Sequence, residues 1–274
     1  MTRLIHLSDL HFGRARTELL TPLHQAIADA EPDLVIVSGD LTQRARSAEF
    51  REARAFLDRL PAPWLSVPGN HDVPLYNLGE RVLRPYRKYS RWISPVLAPA
   101  YIDEKVAVVG CNTVDPHRHQ RGRIRSRDLD RLCRVFCEGP KDRLNILFAH
   151  HPFEQEDDVD KSLMKHAASG LERLTACNTH VVLSGHLHRW RAGPFLTGTR
   201  SEGPVQIHSG TSLSSRLRGE VNDFARLDVT ADTLDVTRMV VQDTTLAFDE
   251  ADRIRFRRGP SGLSTLTEPK TQVA

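Results

Sequence analysis

The sequence predicts an α/β fold, and three observations carry that prediction. Short apolar runs alternate with segments of helical periodicity through the first half of the chain, the order that builds parallel strands joined by right-handed crossovers. Leu34-Val35-Ile36-Val37 is an uninterrupted apolar run, as expected of a strand covered on both faces. From Pro204 onward strands follow one another without intervening helices, which points to an antiparallel region.

Taken in order, Leu4–Leu7 reads as the first strand and Thr17–Ala30 as a helix, by the spacing of its apolar residues. After the second strand, Leu34–Val37, Ser47–Leu60 is an amphipathic helix and Trp64–Val67 a third strand. Asn77–Lys88 reads as a further helix, and Tyr101–Asp103 with Val106–Cys111 as a hairpin. Arg127–Cys137 is helical; Leu144–Ala149 and Val181–Ser184 are strands, with a helix over Lys161–Ala176 between them. Val205–His208, Asp223–Val229 and Leu234–Val241 supply the later strands. Residues 1–245 are expected to form one domain. Residues 246–274 are expected to form a partly disordered extension, because the chain beyond about Arg258 is rich in Gly, Pro, Ser and Thr.

The 274 residues are 39% hydrophobic and 27% charged, as in ordinary soluble enzymes. No apolar run reaches the roughly 18 residues of a membrane helix. The polar stretch Ser8-Asp9-Leu10-His11 interrupts the apolar start, so no signal peptide is expected and a cytoplasmic location is. Cys111, Cys133, Cys137 and Cys177 show no CxxC spacing, and reduced, buried thiols are the expectation. A net charge of +3 is too mild to indicate nucleic-acid binding without clustering on one face.

The chemistry lies in five polar clusters, each directly after an apolar strand: Asp9-Leu10-His11, Gly39-Asp40, Gly69-Asn70-His71-Asp72, His150-His151-Pro152 and Gly185-His186-Leu187-His188. In open α/β sheets, ligands bind beyond the carboxyl ends of the strands, so all five can converge on one edge. Carboxylates, imidazoles and an amide oxygen suit Zn, Mn or Fe rather than Mg or Ca. Seven such ligands exceed what one tetrahedral ion takes and match two ions sharing a bridge, for which Asp40 is the candidate.

The set Asp9/His11, Asp40, Asn70, His150 before a proline, and His186/His188 resembles the calcineurin-like metallophosphoesterase superfamily over roughly Arg3 to Arg216. Ser8–Gly13, Ser38–Gln43 and Val67–Asp72 are most similar to its bacterial branch related to cyclic-nucleotide phosphodiesterases. The resemblance implies a four-layer αββα sandwich of two mixed β-sheets flanked by helices. It implies that Asp9, His11 and His188 hold one metal, that Asn70, His150 and His186 hold the other, and that Asp40 bridges them. The metals would be Mn or Fe, with Zn compatible. His71 corresponds to a histidine that touches the phosphate or protonates the leaving oxygen, His151 to a neighbour facing substrate, and Asp72 to a structural partner. Phosphodiester hydrolysis by water activated between two cations follows.

Arg14, Gln43, Tyr76, Asn112, His208 and Arg216 are expected near the pocket, with His117, His119 and Gln120–Arg131 as a possible cap. The acidic run 154–158 is expected to face solvent, since carboxylates repel a phosphodiester. Arg44-Ala45-Arg46 stands where many relatives place a glycine. The expected partner is a small phosphodiester. Nucleic acid is not expected, since little chain remains after Val241 for a DNA-binding element, and a homo-oligomer is compatible with the sequence. Phosphomonoesterase or nuclease activity on the same site, or a metal-free binding scaffold, are the competing functions.

Overall fold

A computed structural model describes residues 1–196, 203–259 and 262–266. Two sheets pack face to face and helices cover both outer faces. The elements in chain order are β1 (Thr2–Leu7), α1 (Leu20–Asp29), β2 (Leu34–Val37), α2 (Ser47–Leu57), β3 (Trp64–Ser66), α3 (Leu78–Leu83), α4 (Arg87–Trp92), β4 (Ala100–Ile102), β5 (Val106–Cys111), α5 (Ser126–Cys137), β6 (Leu144–Ala149), α6 (Ala167–Ala176), β7 (Val181–Ser184), β8 (Arg191–Pro194), β9 (Val205–His208), β10 (Asp223–Val229), β11 (Thr233–Val241), β12 (Phe248–Gly259) and β13 (Gly262–Thr265). The first sheet has the order β13-β12-β11-β10-β1-β2-β3 and the second β4-β5-β6-β7-β9-β8.

Side-chain alternation along the strands separates the layers. Leu34 and Ile36 of β2 point into the inter-sheet core with Val108, Ile146 and Leu183. Val35 and Val37 point to the opposite face, against Leu23, Phe50 and Phe56 of α1 and α2. On the far side, Leu147 and Val182 pack against Leu132, Phe136 and Leu174 of α5 and α6. A strand with apolar neighbours on both faces therefore reads as a continuous apolar run. The expected sandwich is the observed one.

Several expectations are corrected. The helix expected over 77–88 is two helices, α3 and α4. Pro85 clashes with helical geometry at the residue before it, and Arg84 accordingly leaves the helix at φ −146°. The helix expected from Lys161 begins only at Ala167, after His166 turns the chain at φ +65°. Strand β8 was not foreseen, because its Gly and Pro argue against a strand; at a sheet edge Pro is tolerated.

The expected domain boundary at 245/246 falls inside the first sheet. Strand β12 pairs antiparallel with β11 from Thr233↔Arg257 to Val241↔Phe248, and Phe256 is fully buried between the sheets. The many charges of β12 conceal this, because Arg253 and Arg255 are answered across the strands by Asp235, with Arg255 Nε 2.6 Å from Asp235 Oδ1. Within the stretch expected to be disordered beyond Arg258, β13 forms over Gly262–Thr265, and residues 260–261 and 267–274 lie outside the described residues.

The cysteines are corrected as well. Cys111 is buried, but Cys137 is exposed, and Cys133 of α5 is joined to Cys177 after α6 in a disulfide. Their Cα atoms lie 5.0 Å apart because the two helices pack side by side, 44 residues apart in sequence. Among the described residues, no helix is long and apolar enough to cross a membrane.

One half-buried histidine far from the strand-end clusters sets a pH dependence. His180 Nδ1 accepts a hydrogen bond from the Asn145 amide at 2.9 Å. Burial, with the charge of Arg258, holds its imidazole down at about 4. The folded protein thus binds fewer protons there than the unfolded chain, and the contribution is complete above pH 6.5 and lost as pH falls toward about 4. Urea midpoints measured across this window should decline toward acid, and His180→Gln should flatten the decline. An unchanged slope would assign it elsewhere.

Candidate metal centre

Strands β1, β2 and β3 run parallel in one sheet, and β6 and β7 run parallel in the other. The loops after their carboxyl ends meet between the two sheets. Asp9 and His11 follow β1, Asp40 follows β2, Asn70 and His71 follow β3, His150 follows β6, and His186 and His188 follow β7. Apart from partly exposed His71, all are buried. The structure brings all seven expected ligands together.

The backbone there is unusual. Asp9, His11, Asp40, His186 and His188 all have positive φ, between 48° and 70°, a region costing about 1–3 kcal/mol for each non-glycine residue. Such turns persist where the surroundings fix them and aim side chains inward. Ala45, in the Arg44-Ala45-Arg46 stretch, shares this geometry at φ +50°.

Two groups of facing atoms result. His11 Nε2 lies 3.2 Å from His188 Nε2 and 3.5 Å from Asp9 Oδ1, which is 3.1 Å from His188 Nε2. His150 Nε2 lies 3.1 Å from Asn70 Oδ1 and 3.2 Å from His186 Nδ1. Asp40 Oδ2 sits between the groups, 3.7 Å from His11 Nε2 and 3.3 Å from His150 Nε2.

Several of the remaining atoms of these residues are held by the protein, although His11 Nδ1 is buried without a partner. Asp40 Oδ1 accepts from the His71 amide at 2.8 Å, and Asp9 Oδ2 accepts from Ser8 Oγ and the His186 amide. His150 Nδ1 donates to the Ser38 carbonyl and His188 Nδ1 to the Arg216 carbonyl. A ring whose Nδ1–H is held by a carbonyl presents a lone pair at Nε2, the arrangement typical of metal-ligating histidines. Asp9 Oδ1, by contrast, is buried without any hydrogen-bond partner, a costly state for a carboxylate oxygen unless a cation answers it. Burial pushes both carboxyls up, yet the imidazoles of His188 and His11 beside Asp9, and of His150 and His71 beside Asp40, hold them well below the usual range. The donor set fits two cations.

Two glycines make the convergence possible. A Cβ on Gly69 would collide with Asp40 Oδ1, and one on Gly185 with Ser8 Oγ and Asp9 Oδ2. Gly185→Ala is therefore expected to cost about 1–3 kcal/mol and to lower metal content after reconstitution. Unfolding in urea and metal analysis check both, and parent-like values in each would show that the loops have room to give.

Among the surrounding residues, His71 donates from Nδ1 to the Gln43 carbonyl at 2.9 Å. Burial presses its imidazole down to about 4 against the raising effect of Asp40. Asp72 accepts from the amides of Leu41, Thr42 and Gly69 and from Thr42 Oγ1, so it clamps the Asp40 loop to the Asn70 loop. His151 was expected to face substrate. Instead both ring nitrogens are engaged within the protein, Nδ1 with Thr113 Oγ1 and Nε2 with the Gln120 carbonyl, each at 2.9 Å.

Of the expected pocket residues, Gln43 lines a small cavity with Arg44, Asn70, His71 and His119. Arg216 reaches His188 through its carbonyl. Arg14 lines a separate cavity of about 570 Å³ with Phe12, Leu20, His24 and Phe56. Asn112 Oδ1 is used in a local turn with the Val114 amide, and His208 is buried within the second sheet. The acidic run faces solvent at 156–158, but Glu154 is buried and accepts from the Leu196 amide. Sequence reasoning missed Lys161, whose ammonium donates to the His186 carbonyl, and Ser8 and Ser38; a lysine read as the start of a helix carries no signal of this.

A buried cluster of carboxylate, imidazole and amide ligands at the strand ends of a four-layer sandwich defines a metal-dependent phosphoric ester hydrolase. The chain belongs to the calcineurin-like phosphoesterase family, which residues 2–190 match. It is 30% identical over 204 residues to a probable cyclic nucleotide phosphodiesterase of Synechococcus sp., covering 68% of this chain and 73% of that protein. It is 27% identical to the cAMP/cGMP dual specificity phosphodiesterase of Mycobacterium tuberculosis, covering 78% of this chain and 69% of that one. In fold it is similar to the yellow lupin purple acid phosphatase PPD1, with a TM-score of 0.67 at 13% identity, covering all of this chain and 57% of that longer one.

Proposed function

We propose that Asp9, His11 and His188 hold one divalent cation, that Asn70, His150 and His186 hold a second, and that Asp40 touches both. The chain then hydrolyses small phosphodiesters, cyclic nucleotides among them. The observation that carries this reading is the position of Asp40 Oδ2 between two groups of inward-facing ligand atoms. Manganese or iron is the expected pair, with zinc compatible, since mixed oxygen and nitrogen ligation suits all three.

When bound, the two cations supply Lewis-acid charge for the phosphoryl oxygens and draw a nucleophile from water at neutral pH. The protein's own residues orient the reaction. Asp72 and the glycine turns hold the ligand loops, while Ser38 and Arg216 fix the ring nitrogens of His150 and His188. His71 stands beside the cluster, its ring centre 4.9 Å from that of His11. Because its Nδ1–H stays with Gln43, His71 donates a proton from Nε2 only as imidazolium, and the phosphate anion beside it favours that form.

Metal analysis after reconstitution, followed by turnover of bis-p-nitrophenyl phosphate, p-nitrophenyl phosphate, cyclic nucleotides and glycerophosphodiesters, tests the reading. About two transition-metal ions per chain and a preference for diesters are expected. Fewer than about one ion per chain would favour a metal-free scaffold, and a preference for the monoester a phosphomonoesterase.

A further inference from the structure

The described residues contain nine exposed large hydrophobic side chains, and four of them fall between positions 76 and 83. Tyr76 is 77% exposed, Leu78 69%, Val82 55% and Leu83 81%. Leu78 and Val82 stand four residues apart on one face of α3, and Leu83 adjoins them. Concentrated exposure of this kind marks an interaction surface, whereas scattered single residues do not.

The corner is built rather than loose. Arg81, also on α3, is buried and donates to the carbonyls of Pro74, Pro116 and Arg118 at 2.6–2.8 Å. This ties the apolar helix to the exposed loop His117-Arg118-His119. The corner also adjoins the metal centre. The Arg44 guanidinium lies 5.9 Å from the Tyr76 ring centre, and Arg44, Leu75 and His119 line the small cavity that contains His71 and Asn70.

The charges around it are one-sided. From Pro74 to Arg91 there is one acidic residue, Glu80, against five basic ones. Glu80 is already paired with Arg87 at 3.7 Å and Lys88 at 3.3 Å, and nearby Asp115 with Arg123 at 3.3 Å. Exposed Arg84 and Arg118 have no acidic partner among the described residues. A second copy docking through a two-fold axis would set this patch against itself, bringing unneutralised arginines together around the apolar contact. An anionic lipid surface complements both features, taking aliphatic side chains into the headgroup boundary and cations to its negative charge.

We infer that this corner docks the protein onto anionic lipid surfaces, with the mouth of the metal centre held close to the interface. The inference rests on the surface alone and stands or falls separately from the phosphodiesterase reading. The test is co-sedimentation of the full, metal-loaded chain with phosphatidylcholine vesicles with and without roughly one-third phosphatidylglycerol. Binding is expected only to the anionic vesicles and should weaken in high salt. Arg84→Gln should weaken it about fivefold, and Leu78→Gln combined with Leu83→Gln by about tenfold or more.

Parent-like hydrolysis of bis-p-nitrophenyl phosphate would show that these surface variants fold; if no form of the protein hydrolyses it, circular dichroism serves instead and the vesicle result still decides. Failure of the parent to sediment with anionic vesicles would overturn the inference, as would undiminished binding by the double variant. So would a dimer that the double variant splits, since the patch would then be an interface between copies of the chain.

Discussion

Asp40→Asn is expected to leave the reconstituted chain with fewer than about one metal ion and to lower diester hydrolysis on the order of 10³-fold or more, the scale of deleting one preorganised electrostatic partner. Asp40 Oδ1 already accepts from the His71 amide, so an asparagine that keeps this bond turns its NH₂ toward His11 and His150. His150, its Nδ1–H held by Ser38, presents a lone pair at Nε2, and an amide donor satisfies it in place of a cation. Elemental analysis alongside turnover checks the result. A variant that retains two ions would remove Asp40 from the bridging position.

His71→Ala should keep both metals, because the proposed ligand sets do not include His71, whose Nδ1 is held by the Gln43 carbonyl and whose ring meets that of His11 edge-on. Its loss is expected in turnover, by about 10²–10⁴-fold for substrates whose leaving alkoxide needs a proton. With p-nitrophenolate, a good leaving group, the loss should be far smaller. The ratio of the two losses is therefore the informative measurement. Equal losses would make His71 a phosphate-positioning residue, and normal turnover of an alkyl diester would release it from the reaction.

These two experiments separate features that look alike in sequence. Asn70, His71 and Asp72 are consecutive and equally polar, yet they part in space. Asn70 Oδ1 turns toward His150, the His71 ring bonds to Gln43, and the Asp72 carboxylate gathers amides from two loops. His150 and His151 divide in the same way. The carbonyl of Ser38 holds Nδ1 of the first and leaves Nε2 facing the cluster, while Thr113 and Gln120 occupy both nitrogens of the second. In each case the partner that decides comes from a loop at least 28 residues away or across the sheet interface.

Local regularity was legible from the chain itself. The apolar run of β2, the helical spacing of α1, α2 and α5, and the placement of polar clusters after strands depend on neighbours within a few residues, where period and turn chemistry act. The elements missed or misplaced are those stabilised from afar. The charges of β12 conceal a strand that pairing with β11, the carboxylate of Asp235 and the inter-sheet burial of Phe256 sustain. Cys133 and Cys177 pair because α5 and α6 lie together, and the unforeseen strand β8 is held at an edge by pairing with β9.

The sequence by itself determined the inventory, namely an α/β chain carrying carboxylates, imidazoles and an amide at the ends of its strands. Tertiary structure alone decided which atoms of that inventory meet. The register of β1 beside β2 and of β6 beside β7, and the packing of the two sheets, bring loops more than 170 residues apart to hydrogen-bond distance, as between His186 and Asp9. Such distances depend on long-range packing, which leaves no periodic trace along the chain.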